Sequence, residues 1–322
     1  MNGIGILPPD VHELYRRLQD IDDKEAFIPW EVSEDIKSLI PDRVGPRWFF
    51  HRDDTSTRKA EGNRTASLDT HGLTSPAKEL QLLSQIESNT KQYNLSNCST
   101  SSWNMHVHMP IMKHALEDHG TIRVEPSTSA KIAAPFVPAT SGRGTIVKSK
   151  MIDFTLLFWL NKGSLRSIPH DPAPEDDARL MAGIAKKVRA QPRDHQMVNH
   201  STYSPLQFAP IACNIETKTP TSVNLGKLQL SVWTAAWFQR IAEMFPDTTI
   251  LTVPLIHIVG HSWHISFTSF HRDRIEIAKE LPIGDSRTLL GLYQLVACLR
   301  RLGDWIETDY GKWAEQMFLG DI

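Results

Sequence analysis

The chain reads as an α/β protein, and three observations predict it. Five segments have strand-like content: 121–124, 145–160, 210–218, 250–259 and 263–268. Around them lie stretches with apolar residues at helical spacing, at 77–92, 103–115, 175–188, 227–245 and 289–318. The 322 residues are 40% hydrophobic and 22% charged, ordinary globular usage that supports a substantial core.

Taken in order, residues 1–50 mix short helical patterns (Val11, Leu14, Tyr15, Leu18) with Pro8, Pro9, Pro29, Pro41 and Pro46, which reads as a capping extension. From 51 to 76 large apolar residues almost vanish, so a mobile linker is expected there, closing an N-terminal extension over 1–76. The main domain is expected over 77–322. Its helix at 77–92 carries Leu80, Leu83 and Ile86; the next, with Trp103, Val107, Ile111 and Ala115, admits Pro110 only as a kink or near its first turn. Residues 161–207 read as an insertion, a Pro/Asp-rich turn followed by a helix and a polar loop. The segment 210–218 reads as a strand, 227–245 as a helix, 250–259 and 263–268 as strands joined near Gly260, and 289–318 as two helices meeting near Gly303.

Charge narrows the function classes. With 35 Lys+Arg against 37 Asp+Glu and a pI near 6.7, the chain cannot coat nucleic acid through bulk charge; a polyanion would need a local patch or metal ions. The first 25 residues are too charged for a secretory signal, and no segment nears the roughly 18 apolar residues of a membrane span. Cys98, Cys213 and Cys298 are scattered and odd in number, which suits a reducing compartment. An intracellular protein, cytoplasmic or nuclear, without a membrane partner is therefore expected.

The chemistry lies in two strands. Asp153 interrupts the apolar run Ile152-Asp153-Phe154, where a charge needs a partner. Along 213–218 side chains alternate, so Asn214, Glu216 and Lys218 share one face. With Asp153 on a neighbouring strand, two acids and an ammonium meet. Carboxylates about 4 Å apart repel by about 4 kcal/mol at an effective dielectric near 20, so a cation must hold them. Oxygen ligands from Asp153, Glu216 and the Thr217 carbonyl suit Mg²⁺ or Mn²⁺, which can deliver a water to phosphorus, and Lys218 can orient or deprotonate that water.

The order Asp153, then Glu216-Thr217-Lys218, then Gln229 on the following helix resembles the PD-(D/E)XK nuclease superfamily, and in particular its fungal nuclease-like domain proteins. The stretches that carry the resemblance are 102–108, 150–154, 211–218, 228–233 and 286–294. It implies a restriction-endonuclease-like central mixed sheet flanked by helices, metal carboxylates at Asp153 and Glu216, a catalytic lysine at Lys218 and a helper at Gln229. Many members also place an acid on the first core helix; none stands between Trp103 and His114, where His106 is the polar candidate. The implied activity is metal-dependent phosphodiester hydrolysis on DNA or RNA.

Two other readings stay open. The same fold could hold a small organic substrate in a metal-free pocket, as in a specialised-metabolite pathway, with Glu216, Lys218, His106 or Asp153 as acid/base groups; or the set could be a relic in a binding protein. Lys186, Lys187, Arg189, Arg193 and Arg179 could track a phosphate backbone but read more simply as a solvated helix face. The tryptophans sit among Leu, Ile and Val and read as core. No Gly-x-Ser-x-Gly elbow occurs, and 142–145 lacks the Lys-Ser/Thr of a phosphate loop and reads as a turn.

Overall fold

The computed structural model describes residues 5, 7–40, 44–51, 75–96, 98–138, 152–160, 175–219, 222–246, 248–272 and 274–320. All but the ends of the expected linker at 51–76, the first part of the expected insertion and the turn at 142–145 lie outside them. In chain order the elements are helices α1 (His12–Asp22), α2 (Ser33–Leu39) and α3 (Pro76–Leu95). Helix α4 follows as the run Thr100–Trp103, Asn104–His108 and Met109–Leu116. Next come strands β1 (Ile122–Pro126) and β2 (Phe154–Phe158), helix α5 (Glu175–Arg189), strand β3 (Ile211–Lys218) and helix α6 (Val223–Met244). Strands β4 (Val253–Val259), β5 (Ser262–His271) and β6 (Arg274–Asp285) and helices α7 (Leu289–Trp305) and α8 (Gly311–Leu319) complete the chain.

The six long strands form one sheet in the order β1-β2-β3-β4-β5-β6. It is mixed: β3 and β4 run parallel, while β1/β2, β2/β3 and β4/β5 are antiparallel. A parallel pair needs a crossover connection, and α6 supplies it, packing on both strands it joins. The central strands β2, β3 and β4 are buried on both faces, as their near-continuous apolar runs require. Leu156, Leu157, Ile215, Ile256, Ile258 and Ile265 are each at most 1% exposed, and such side chains contribute about 1.5–3 kcal/mol apiece. Gly260, at φ 58°, opens the two-residue turn from β4 to β5, where the left-handed conformation favours glycine.

The chain divides into two compact units. One holds 1–13, 119–281 and 302–322; the other holds 14–118 and 282–301. In the second, α3 starts at Pro76 with Ser75 as its N-cap, the Ser75 hydroxyl accepting from Lys78 N–H. Pro110 in α4 lacks an N–H and crowds the carbonyl four residues back, and the helix widens to a π-turn over Asn104–His108. The carbonyl of His106 accepts instead from the Asn89 amide at 3.3 Å. Three strand or helix boundaries differ from expectation. Strand β6 was not anticipated, although 274–277 alternate charged and apolar residues. Strand β2 starts after Asp153, leaving that residue in a bend. The last helices join through a π-turn at Ile306–Tyr310 rather than at Gly303. Gly303 has another use: a Cβ there would meet the His119 ring at 2.6 Å.

In the expected insertion, the end is a buried clasp. Asn199, fully buried, donates to the carbonyls of Leu206 and Ala209 at 2.6 and 2.8 Å, and its Oδ1 accepts from Ile211 N–H at 3.0 Å and Trp237 Nε1 at 3.2 Å. All four bonding positions of the amide are used, tying the segment before β3 to the strand and to α6. Asn199→Ala is expected to cost about 2–4 kcal/mol in urea denaturation, because buried backbone groups are left unpaired; a change below about 0.5 kcal/mol would mean that the clasp is redundant. Burial also settles the tryptophans: Trp103, Trp233, Trp237, Trp263, Trp305 and Trp313 all belong to the core.

Candidate functional site

The site is built where β2 meets β3. Antiparallel pairing sets Phe154 opposite Ile215, which brings Asp153, one residue before the strand, beside Glu216 and Thr217. The Asp153 carboxylate is then held from β3: its Oδ2 accepts from Thr217 N–H at 3.0 Å and from the Thr217 hydroxyl at 2.7 Å. Thr217 thus points to the opposite side from Glu216 and fixes the orientation of its acidic neighbour. Asp153, Glu216, Thr217 and Lys218 come together within the first unit, as the sequence order anticipates.

Glu216 is 1% exposed. Its Oε1 accepts from the Lys218 ammonium, which also donates to the Thr217 carbonyl at 3.2 Å. Its Oε2 is buried and has no hydrogen-bond partner. Burial, reinforced by the Asp153 charge, pushes the Glu216 carboxyl up to about 8 against the pull of Lys218. An acid so placed is short of positive charge. This donor set fits a hard divalent cation: two carboxylates, one with an unsatisfied buried oxygen, and a main-chain carbonyl. Among the described residues no third His, Cys, Asp or Glu side chain joins them, so water or substrate oxygens would complete the shell.

The face that carries Asn214, Glu216 and Lys218 is the one α6 covers. The Asn214 amide oxygen accepts from Trp233 Nε1 at 3.1 Å, and its nitrogen donates to the Thr234 hydroxyl at 3.3 Å, pinning the helix to the strand from inside the core. Farther toward its N-terminus the helix comes so close that only glycine fits. A Cβ at Gly226 would stand 2.6 Å from His257 Nε2 and 2.7 Å from Lys218 Cγ. Gln229 follows three positions later on α6 and is half-buried.

His257 escaped the sequence reading. Parallel pairing places it opposite Glu216 on β4, and antiparallel pairing places His264 of β5 opposite it. The ring is 4% exposed, and neither nitrogen has a hydrogen-bond partner. Burial pulls it down to about 4; nearby Glu280 opposes the shift, while Lys227, His264 and Lys218 favour it, so the imidazole is neutral. A polar residue inside the apolar run 253–259 was the available signal, the same one that exposes Asp153.

His106 sits in the second unit, exposed, with its ring stacked on Tyr93 at 5.6 Å. Two of the basic residues of α5 are engaged locally: Arg179 pairs with Asp176 at 3.1 Å, and the Lys187 ammonium lies 5.4 Å over the Phe245 ring. No helix among the described residues is long and apolar enough to cross a membrane.

No curated protein and no solved structure matches the chain. The sequence profile of the PD-(D/E)XK nuclease superfamily, whose nucleases act on nucleic acids and which typically uses divalent metals, matches residues 46–311. That span contains the whole six-stranded sheet and every acid and lysine of the β2–β3 cluster, and the chain belongs to the PD-(D/E)XK nuclease superfamily.

Proposed function

We propose that the cluster of Asp153, Glu216 and Lys218 is the centre of a Mg²⁺- or Mn²⁺-dependent phosphodiesterase acting on DNA or RNA. The observation that carries this reading is Glu216. A carboxylate this buried, beside a second acid and with one oxygen unbonded, is stable as an anion only when a cation completes it. Asp153, Glu216 and the Thr217 carbonyl would hold the metal. When bound, the metal supplies Lewis-acid charge for the phosphodiester and lowers the pKa of a water molecule.

The protein's own groups do the rest. Thr217 keeps the Asp153 carboxylate in one orientation through two hydrogen bonds, so little side-chain freedom is lost on binding. The Lys218 ammonium, on the same strand face as Glu216, orients the attacking water and offsets charge that builds on the phosphate. Gln229 is assigned as a helper on α6, holding water or phosphate by its amide; His106, engaged with Tyr93, takes no step here.

Calorimetric titration of Mn²⁺ into the wild type and into Glu216→Ala tests the centre without a choice of substrate. The expected result is a binding isotherm that weakens by about 100-fold or more in the variant, the loss typical of removing a charged ligand from a small cation site. Equal binding by both proteins would remove the metal role of Glu216 and leave the metal-free acid/base pocket as the better account.

A further inference from the structure

The Lys218 ammonium already engages two of the groups that the proposed metal needs. It donates to Glu216 Oε1 and to the Thr217 carbonyl, two of the three groups assigned as ligands. Glu216 Oε2 is open to a divalent cation, but a cation held there and by the Thr217 carbonyl would stand directly against the ammonium, and like-charge repulsion at such short range drives Lys218 to move. Its stem is not free to go anywhere: Cγ lies against the backbone of α6 at Gly226, where no side chain could be inserted. Only the far end of the chain can swing.

One group faces the same small gap. His257 Nε2 lies against Gly226 just as Lys218 Cγ does, and His257 stands opposite Glu216 in the parallel register. Both ring nitrogens are buried and unpartnered, and a buried imidazole without a hydrogen bond is a cost that needs an explanation. The other acceptor nearby, the Glu280 carboxylate, is already bonded to the Lys227 ammonium, and His264 is one strand farther from Lys218. A neutral imidazole keeps one ring nitrogen as a lone-pair acceptor, and here neither nitrogen is taken by another group.

We propose that His257 is a positioning residue that accepts the Lys218 ammonium once a divalent cation takes Glu216 and the Thr217 carbonyl. The lysine then has two seats: on Glu216 in the metal-free protein, and on His257 in the loaded one, where the ammonium is kept beside the reacting centre instead of being lost to solvent. The inference rests on the metal-centre reading above and adds a residue to it. His257 acts through Lys218 and is assigned no contact with substrate or metal.

The test is a double-mutant cycle read by Mn²⁺ calorimetry on the full chain, with His257→Leu, His257→Gln, Lys218→Met and His257→Leu/Lys218→Met, each checked for an unchanged melting profile. His257→Leu is expected to weaken Mn²⁺ binding about tenfold, the worth of a hydrogen bond to a charged group. His257→Gln, whose amide oxygen can accept, restores most of it. Lys218→Met binds Mn²⁺ more tightly than the wild type, since the competing ammonium is gone. In that background His257→Leu changes binding by less than about twofold, the residual expected of uncoupled sites. Equal weakening by His257→Leu with and without Lys218 would overturn the proposal, showing that His257 acts without the lysine. No effect in either background would overturn it too, while the metal centre stands. Absence of Mn²⁺ binding even in Lys218→Met would remove the metal centre itself and this inference with it.

Discussion

Lys218→Ala is expected to lower metal-dependent cleavage of nucleic acid by about 10³-fold, within the range for loss of a group that orients the nucleophile and stabilises developing charge. The fold should survive. The lysine side chain is 16% exposed and contributes one ion pair, and Glu216, whose carboxyl burial already pushes up to about 8, can take up a proton when the ammonium is removed. An uncompensated buried anion, the usual reason that such a deletion unfolds a protein, is thereby avoided. The measurement is Mn²⁺-dependent hydrolysis of single- and double-stranded DNA and RNA, with circular dichroism as the control for folding. Cleavage at the wild-type rate by a folded Lys218→Ala protein would rule out a catalytic lysine here. Turnover of a small organic substrate in excess chelator would favour the metal-free pocket.

The second large effect is on stability, in the unit that does not contain the candidate site. Glu79 on α3 is fully buried, and its Oε2 accepts from His114 Nε2 at 2.9 Å and from the Arg300 guanidinium. Burial pushes the Glu79 carboxyl up, but the His114 hydrogen bond and the Arg300 charge outweigh it and hold the group at about 2, below its ordinary 4.5. Glu79→Ala leaves Arg300 and His114 without their shared acceptor and is expected to cost about 3–5 kcal/mol, the range for breaking a buried pair from one side. Because the folded-state pKa is depressed, the native protein binds fewer protons than the unfolded one between these two values. The stabilisation is present above pH 4.5 and is lost as the pH falls toward about 2, amounting to about 3 kcal/mol. Urea midpoints measured from pH 5 to pH 2 would show it as a steep decline in the wild type that flattens in Glu79→Gln. Parallel declines in both proteins would assign the acid sensitivity to other carboxylates.

The contrast between these two clusters explains what could be read in the sequence. Glu216, Thr217 and Lys218 are consecutive, and strand alternation by itself puts Glu216 and Lys218 on one face and Thr217 on the other. Asp153 was legible because a charge inside an apolar run demands a partner. The α/β class followed from the same local signals, periods of two and of 3.6, which depend only on near neighbours in the chain. Glu79, His114 and Arg300 likewise form an ionic group around a buried carboxylate, yet Glu79 lies 35 positions from His114 and 221 from Arg300, and each by itself resembles an ordinary helical residue.

The sequence by itself determined most of the elements, though not β6, together with the acid and lysine face of β3 and membership in the superfamily, because these are properties of short segments and of their order. Only the tertiary structure decided that Asp153 stands in a bend held by Thr217, that Gly226 admits no side chain against Lys218, and that His257 is the unpartnered neighbour. Each depends on strand register and on the approach of α6, which are set by how side chains far apart in the chain pack together, and one residue of slippage would turn each of them to the opposite face.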